Sequence, residues 1–301
     1  MPCSRGDHDK WILVQYFVNG LISFALIVPV GLGFWLIFRT CGFFHFAYGA
    51  SITAGAYLLF IFLKNGIHFT ISIVVAIVIS LVIGFIFEKV IFTLLRQHRA
   101  SSLVNLVASL GLYSVVVNII ALYFGDHPKT VHTWPTIAGM SLLGATITQT
   151  QVSIILVSML SMLCFWAIFR FSALGIRMEA VACDPYLARV VGIDVDRVYF
   201  WAMGLGSSLA GFAGILTACD VDISPTMGMQ PMLMGIVAVI VGGNTFWGTV
   251  CGAFLLGMAR HLGVIWLPTQ WQDAITFVIL LIFLLLRPQG ILGRPLIKAK
   301  V

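Results

Sequence analysis

The charged residues of this chain are concentrated in one short segment, Ser172–Asp196, between two long apolar stretches. Only 9% of the 301 residues are charged, whereas 60% are hydrophobic. The segment contains Arg177, Glu179, Asp184, Arg189, Asp194 and Asp196. If a soluble motor protein drives conformational changes in a membrane channel, the channel needs a short folded surface of this kind on its cytoplasmic face. Transport is therefore the leading hypothesis.

A helix of two turns is predicted inside this segment, from Asp184 to Gly192. Asp184 can accept backbone N–H bonds as the N-cap, Pro185 suits the first helical position, and Gly192 suits a left-handed stop. The helix also carries an apolar edge with i, i+3, i+4 spacing, formed by Leu187, Val190 and Val191. Two turns are not stable alone in water. The helix must therefore lie on its own protein or in a groove of a partner.

Two apolar segments are interrupted by glycine. Gly242–Gly248 joins a short apolar segment to a full one, and its earlier counterpart is Phe46–Gly49 followed by Gly55–Tyr57. Broken segments at membrane depth are tolerated only where protein or a water-filled cavity surrounds the backbone. These two regions are therefore the better candidates for a translocation route. Small residues also recur every four positions at Gly206, Ala210 and Gly214, a stripe typical of close helix packing.

Few ionisable groups fall within the apolar stretches. Arg260 lies mid-span, where a charge is costly and is a functional hypothesis by default. It contacts a substrate or partner, or it forms an ion pair that holds helices together. Because the chain offers few acids at that depth, we expect an acid of a partner or a water-accessible cavity. Glu88 lies near the inner end of its segment, and we expect it to reach water by snorkelling.

Catalytic and metal-binding patterns are absent from the sequence. There is no Walker-type lysine loop for nucleotide hydrolysis, and no Ser/His/Asp, paired-carboxylate or H-E-x-x-H arrangement. The six cysteines and seven histidines show no ligand spacing. We predict neither an enzyme nor a metal site.

The apolar stretches predict an all-α integral membrane protein, a single domain over residues 1–301 with about eight to ten transmembrane or half-spanning helices. The candidate segments, each to be compared with roughly 30 Å of hydrocarbon, are Trp11–Phe38, Phe43–Leu63, Phe69–Leu95, Leu103–Phe124, Val152–Phe171, Val198–Cys219, Met232–Gly243, Gly248–Leu267 and Ala274–Leu286. Met232–Gly243 is too short for a normal span. The longest outer loop, Gly125–Gln151, is polar enough to form a short structured cap.

The basic residues indicate the orientation. With Ser172–Asp196 inside, twelve Lys/Arg fall inside and four fall outside, namely Arg5, Lys10, Lys64 and Lys129, while Arg260 stays within a span. This is the bias that the positive-inside rule describes. The net charge of +6 is therefore a topology signal, and nucleic-acid binding is not needed to explain it.

Four ordered motifs resemble the permeases of branched-chain amino acid ATP-binding-cassette (ABC) importers, and the shorter permease of the pair fits best. The motifs are Phe46–Tyr57, Arg177–Leu216, Ser224–Gly228 leading to Val241–Gly243, and Arg287–Pro295. The resemblance implies that the cytoplasmic segment 172–196 couples the chain to an ATPase. The coupling residues it implies are Arg177, Glu179, Asp184, Leu187, Ala188, Arg189, Val190 and Gly192.

The sequence departs from the family at positions near the predicted route. Relatives commonly read Asn-Phe-Ala-His-Gly where this chain has His45-Phe46-Ala47-Tyr48-Gly49, and many carry a lysine near Met234, Gly-Ser near Asn244-Thr245 and an acid near Arg260. The candidate route residues are His45, Tyr48, Gly49, Ser51, Tyr57, Met234, Gly242, Gly243, Asn244, Thr245 and Arg260. These departures leave the transported molecule open.

The resemblance implies a permease subunit in the bacterial inner membrane that moves branched-chain or hydrophobic amino acids inward. It also implies a second, similar permease, two cytoplasmic ATPases that bind ATP and Mg²⁺, and a periplasmic substrate-binding protein. No cofactor is expected on this chain. Urea or short amides are the alternative substrates. An ion-coupled secondary transporter is the rival mechanism, and the scarcity of acids within the spans argues against it.

Overall fold

The chain folds into a bundle of long helices, and the computed structural model describes residues 5–131, 140–142, 145–265 and 267–293. The first six helices are α1 (Arg5–Cys41), α2 (Ala47–Lys64), α3 (Phe69–Phe87), α4 (Thr93–Gln97), α5 (Ser102–Phe124) and α6 (Gln149–Phe171). The other six are α7 (Ala173–Cys183), α8 (Pro185–Val190), α9 (Val195–Asp220), α10 (Met229–Gly242), α11 (Phe246–Gly263) and α12 (Gln272–Leu286). A π-helical turn, Glu88–Phe92, joins α3 to α4, and a 3₁₀ turn, Thr269–Trp271, precedes α12.

Seven of the described helices are long and apolar enough to cross a membrane, or eight if the pair α10 and α11 counts as one crossing. That pair is bent by 119° at its break, as the glycines of Gly242–Gly248 predict. The all-α membrane fold is therefore confirmed. Between α5 and α6 an antiparallel hairpin of β1 (Met140–Leu142) and β2 (Ala145–Ile147) forms part of the predicted cap. Residues 132–139 of that loop and Arg294–Pro295 of the C-terminal motif lie outside the described residues.

The helices divide into an inner and an outer set. Helices α1, α2 and α9 are mostly buried within the chain, and α10 packs against α1 and α11. Helices α3, α5, α6 and α12 pack through one side only and present Leu, Ile and Val on the other. A helix that is apolar all round suits either a protein core or lipid. The outer set therefore forms the surface for lipid or for another membrane chain.

The small-residue stripe of α9 has the packing role that its spacing predicts. Gly211 lies against Gly55 of α2, and a Cβ atom at Gly214 would overlap the carbonyl group of Ile52. Backbones can approach this closely only where a side chain is missing. The stripe thus brings α9 and α2 together in the centre of the bundle.

Gly214→Ala should lower the thermal stability of the purified chain, at a cost of about 1–3 kcal/mol for overpacking, because the new methyl group meets the backbone of α2. The matched control is Gly111→Ala on α5, where nothing lies within 4 Å of the added Cβ. That variant should unfold at or above the wild-type temperature, since alanine is the better helix former. Equal melting temperatures for both variants would contradict the packing role.

Proline in α1 is accommodated by a hydroxyl group from α6. Pro29 lies inside α1, so the carbonyl of Ala25 loses its helical N–H donor. The side chain of Ser158 donates a hydrogen bond to that carbonyl. Within a membrane a free backbone carbonyl costs several kcal/mol, and Ser158 removes that cost while joining α6 to the inner set.

Candidate coupling surface and transport route

The predicted two-turn helix is α8, and both of its ends are capped as expected. The carboxylate of Asp184 accepts hydrogen bonds from the backbone N–H groups of Tyr186, at 2.8 Å, and Leu187, at 3.1 Å. Gly192 has a φ of +84°, and its N–H donates to the carbonyl of Arg189 at 3.0 Å. Local sequence therefore determines where α8 starts and stops.

The apolar edge of α8 faces outward. Ala188 is buried against the rest of the chain, whereas Leu187, Val190 and Val191 have 59%, 69% and 74% of their surface exposed. Of the two possibilities left open by the sequence, packing on the chain itself accounts only for Ala188. The edge is an apolar patch on the polar end of the molecule, and such patches mark protein interaction sites.

A chain of ion pairs joins α8 to the end of α3. Arg189 lies 3.7 Å from Asp196, and Asp196 lies 3.5 Å from Arg96. Arg96 in turn pairs with Glu88 and lies over the ring of Tyr199, 4.5 Å from its centroid. This network was not predicted from the sequence, because the pair that connects its two halves, Arg96 and Asp196, joins distant parts of the chain.

The expectation that Glu88 reaches water by snorkelling is wrong. Its side chain is only 1% exposed and pairs with Arg96, whose side chain is 23% exposed. Glu88 opens the π-helical turn, and such turns are frequent at functional sites. A buried carboxylate is stable only while its partner is present, so Arg96 holds Glu88 in place.

The remaining residues implied for coupling lie on or beside α7. Arg177 borders a cleft of about 500 Å³ together with Gly192, Asp194 and Arg197. Glu179 is exposed and lies 3.9 Å from Arg39 at the end of α1. The implied coupling residues all lie between Ala173 and Arg197, and all but Ala188 are at least partly exposed. We call this part of the molecule the coupling surface (residues 173–197).

The two broken segments approach each other, as predicted, at the start of α2 and of α10. The N–H of Gly228 donates to the hydroxyl group of Thr53 at 3.1 Å. Gly49 faces the carbonyl of Gly228 at a distance that leaves little room for a Cβ. The hydroxyl group of Tyr48 donates to the carbonyl of Val30 at 2.8 Å, in the turn of α1 that follows Pro29. The contact is tightly packed.

Most of the early route candidates are therefore enclosed by protein, whereas Tyr57 borders an apolar cavity of about 340 Å³ between α2, α3 and α5. Tyr48, Ser51 and His45 are completely buried, and Tyr57 is nearly so. Both ring nitrogens of His45 lack a hydrogen-bond partner among the described residues. Its ring instead lies among Phe43, Phe87 and Phe92. These positions support the packing of α2.

The later route candidates lie elsewhere. Met234 is buried within α10, and Gly242 packs against Gly248. Gly243, Asn244 and Thr245 form the turn between α10 and α11, where Asn244 accepts a hydrogen bond from Arg39 at 3.1 Å. The hydroxyl group of Thr245 caps α11 by accepting from the N–H of Gly248 at 3.1 Å. This turn lies beside the coupling surface and does not meet the contact of α2 with α10.

The expectation that Arg260 has no acid within its own chain is wrong. Arg260 pairs with Asp273 at 2.9 Å, and Gln230 donates to the same carboxylate at 2.9 and 3.0 Å. The cluster joins α10, α11 and α12. Arg260 lies about 21 Å along α11 from its first residue, Phe246, by helical rise. The structure thus does not bring Arg260 together with the other candidates.

Helix α5 carries polar side chains that no sequence motif singled out. On its inner side the hydroxyl group of Ser109 accepts a hydrogen bond from the N–H of Phe46 at 3.0 Å. On its outer side Gly111, Ser114 and Asn118 are exposed one turn apart. The side-chain amide of Asn118 donates to the backbone carbonyl of Ser114 at 2.7 Å. The spacing of Gly111, Ser114 and Asn118 indicates a polar side of the helix, whereas hydropathy alone predicts only a membrane-spanning segment.

The comparisons with known proteins agree with the architecture. Residues 16–284 match the model of a family described as branched-chain amino acid transport system / permease component. The chain belongs to this permease family. The permease is 27% identical to the high-affinity branched-chain amino acid transport system permease protein LivH of Escherichia coli, over 94% of the chain and 96% of that protein. It is 25% identical to the corresponding protein BraD of Pseudomonas aeruginosa, with the same coverage.

A solved structure supports the fold of the permease. It is PsaBC from Streptococcus pneumoniae in complex with Fab, with a TM-score of 0.50 at 13% identity, covering 90% of this chain and 91% of that one. At this identity the likeness concerns the helix arrangement alone. The permease is thus a multi-pass membrane protein of a transport family.

Proposed function

We propose that the chain is a permease subunit of an ABC importer, carrying branched-chain or other hydrophobic amino acids inward across the bacterial inner membrane. The exposed apolar edge of α8 on the coupling surface supports this proposal most directly, because the chain itself does not cover it. The family match supports transport by this chain. The energy source would then be two cytoplasmic ATPases, which bind ATP and Mg²⁺ themselves.

The coupling surface gives the ATPases a mechanical connection to the membrane helices. Contact at α8 would pull on Arg189, and the ion pairs through Asp196 and Arg96 lead to Glu88 at the end of α3. A partner shifts an equilibrium only through different contacts in its two states. The ATPases must therefore contact α8 differently when open and when closed.

The route would run between this chain and a second permease. The chain is tightly packed at the contact of Gly49 with Gly228, which favours a path outside that contact. The outer side of α5 carries Gly111, Ser114 and Asn118, a set of small and polar groups that suits a hydrated passage. A periplasmic binding protein would deliver substrate at the end of the bundle that carries Arg260 and Asp273.

The rival mechanism, ion-coupled transport, has one buried acid to consider among the residues whose burial is described. Glu88 is buried, but it is neutralised by Arg96 and is not free to bind Na⁺. Urea or short amides stay the alternative substrates, since the family match alone does not select among small molecules.

Uptake of radiolabelled compounds tests the substrate. A knockout strain lacking the gene for this chain should lose uptake of leucine, isoleucine and valine while keeping uptake of urea and acetamide. Restoring the gene should restore it, and vanadate, which inhibits ABC ATPases, should block the restored uptake. Uptake that resists vanadate but collapses with the ion gradient would favour the rival mechanism.

Cysteine labelling tests the route. In a background without native cysteines, Asn118→Cys should react with a small water-soluble thiol reagent in the assembled transporter. Val74→Cys is the matched control, because Val74 is 56% exposed on the apolar side of α3 and should stay unreactive in lipid. Ser51→Cys should also stay unreactive, because Ser51 is fully buried. If Asn118→Cys is as unreactive as Val74→Cys, the route does not follow α5.

A further inference from the structure

A cavity of about 740 Å³ lies beside the coupling surface, between α1, α6 and the turn from α10 to α11. Its charged lining consists of Arg39, Arg170 and Glu179. Two positive charges thus face one negative charge. The proposed transport cycle gives this cavity no role.

The positive charge in the cavity is only partly neutralised. Arg39 donates to the carbonyl of Asn244 and lies 3.9 Å from Glu179, which is a weak pairing at an exposed carboxylate. Within the described part of the chain, no carboxylate lies within 4.0 Å of Arg170. The cavity is therefore suited to an anion.

The uncharged walls supply aromatic rings and a spare donor. Trp35 borders the cavity and is 2% exposed, and its indole N–H has no acceptor among the described residues. Trp166 and Trp247 stand at another wall with ring centroids 6.2 Å apart. Tryptophan pairs of this kind are typical of the membrane–water interface. The cavity therefore lies at headgroup depth.

The surface next to the cavity is apolar and open. Phe171 and Ile168 of α6 are 74% and 46% exposed, and Leu285 and Leu286 at the end of α12 are 74% and 81% exposed. Trp247 itself is 49% exposed. A ligand that fits both the basic cavity and this neighbouring surface has an anionic head and long apolar tails.

We propose that this cavity binds the phosphate headgroup of an anionic phospholipid. Basic pockets between membrane helices on the cytoplasmic side recognise such headgroups, and a guanidinium pairs well with a phosphate. The bound lipid would connect α1, α6 and the turn at Asn244 next to the coupling surface. The proposal rests on the membrane location of the chain and not on the identity of its substrate.

Native mass spectrometry of the full chain in detergent tests the proposal. The probes are phosphatidylglycerol and phosphatidylcholine with identical acyl chains. The chain should retain phosphatidylglycerol in preference, and Arg170→Gln should weaken that retention about tenfold, the size expected for one charge-assisted pair. The matched control is Arg99→Gln, which removes an exposed arginine outside the cavity and should leave retention unchanged.

Three results would overturn the proposal. The first is equal retention of both lipids, and the second is equal loss of retention in Arg170→Gln and Arg99→Gln. The third is displacement of phosphatidylglycerol by glycerol 3-phosphate at equal concentration, which would make the site one for a soluble phosphate. If Arg170→Gln fails to fold, Glu179→Gln replaces it. Removing the only carboxylate among the described lining residues should increase retention, and unchanged retention would count against lipid binding.

Discussion

Replacing Leu187 and Val190 together with Asp should abolish transport while the chain still inserts into the membrane. Both side chains are exposed on the outer edge of α8. Burying each against a partner contributes about 1.5–3 kcal/mol. Two carboxylates in the same place would add the cost of desolvating charge. The measurement is substrate-stimulated ATP hydrolysis in the reconstituted transporter, and we expect at least a tenfold loss, in line with that energy.

The conservative pair Leu187→Met and Val190→Ile is the control, because it keeps the edge apolar at similar volume. It should retain near wild-type hydrolysis. Copurification of the ATPases with each variant separates loss of docking from loss of insertion. Wild-type stimulated hydrolysis in the double Asp variant would show that α8 is not the coupling contact.

Helix α8 could be predicted from sequence because its determinants are local. Asp184 forms its cap within three residues, and Gly192 ends the helix through its own backbone angle. The long apolar helices were predictable for a similar reason, since length and composition alone decide whether a segment can cross a membrane. The four-residue spacing of Gly206, Ala210 and Gly214 likewise predicts that this side of α9 packs closely against another helix.

The ion pairs could not be predicted because they depend on tertiary contacts. Asp273 follows Arg260 by 13 residues, and the chain turns between them. The sequence pattern does not show the direction of that turn, so only the fold reveals that the two side chains pair. Glu88 looked able to reach water from the end of a span. The π-helical turn and the nearby Arg96 instead leave it buried.

For the early route candidates, the sequence could not separate a packing role from a role in the route. Glycines and aromatic residues at membrane depth indicate an irregular backbone that must be covered. Close packing of neighbouring helices can cover such a backbone, and so can the wall of a hydrated path. Tyr48 and Gly49 are covered by α1 and α10. Which sides of the helices stay uncovered is visible only once the helices are packed, which is why the exposed polar side of α5 was not selected.

Arg96→Leu should destabilise the chain strongly, by about 3–5 kcal/mol, because it leaves the buried carboxylate of Glu88 without a partner. Glu88→Gln should cost much less. It removes the buried charge, while Arg96 keeps Asp196 at 3.5 Å and the ring of Tyr199. Thermal unfolding of the purified full chain in detergent, followed by circular dichroism, measures both effects.

The double variant Glu88→Gln with Arg96→Leu separates a charge effect from a packing effect. If the unpaired carboxylate causes the loss, removing it should recover most of the stability that Arg96→Leu costs, so the two substitutions should be strongly non-additive. Additive losses would instead mean that Arg96 acts through its contact with Tyr199. Recovered stability without recovered transport would show that the connection from α8 to α3 has a function in coupling as well as in folding.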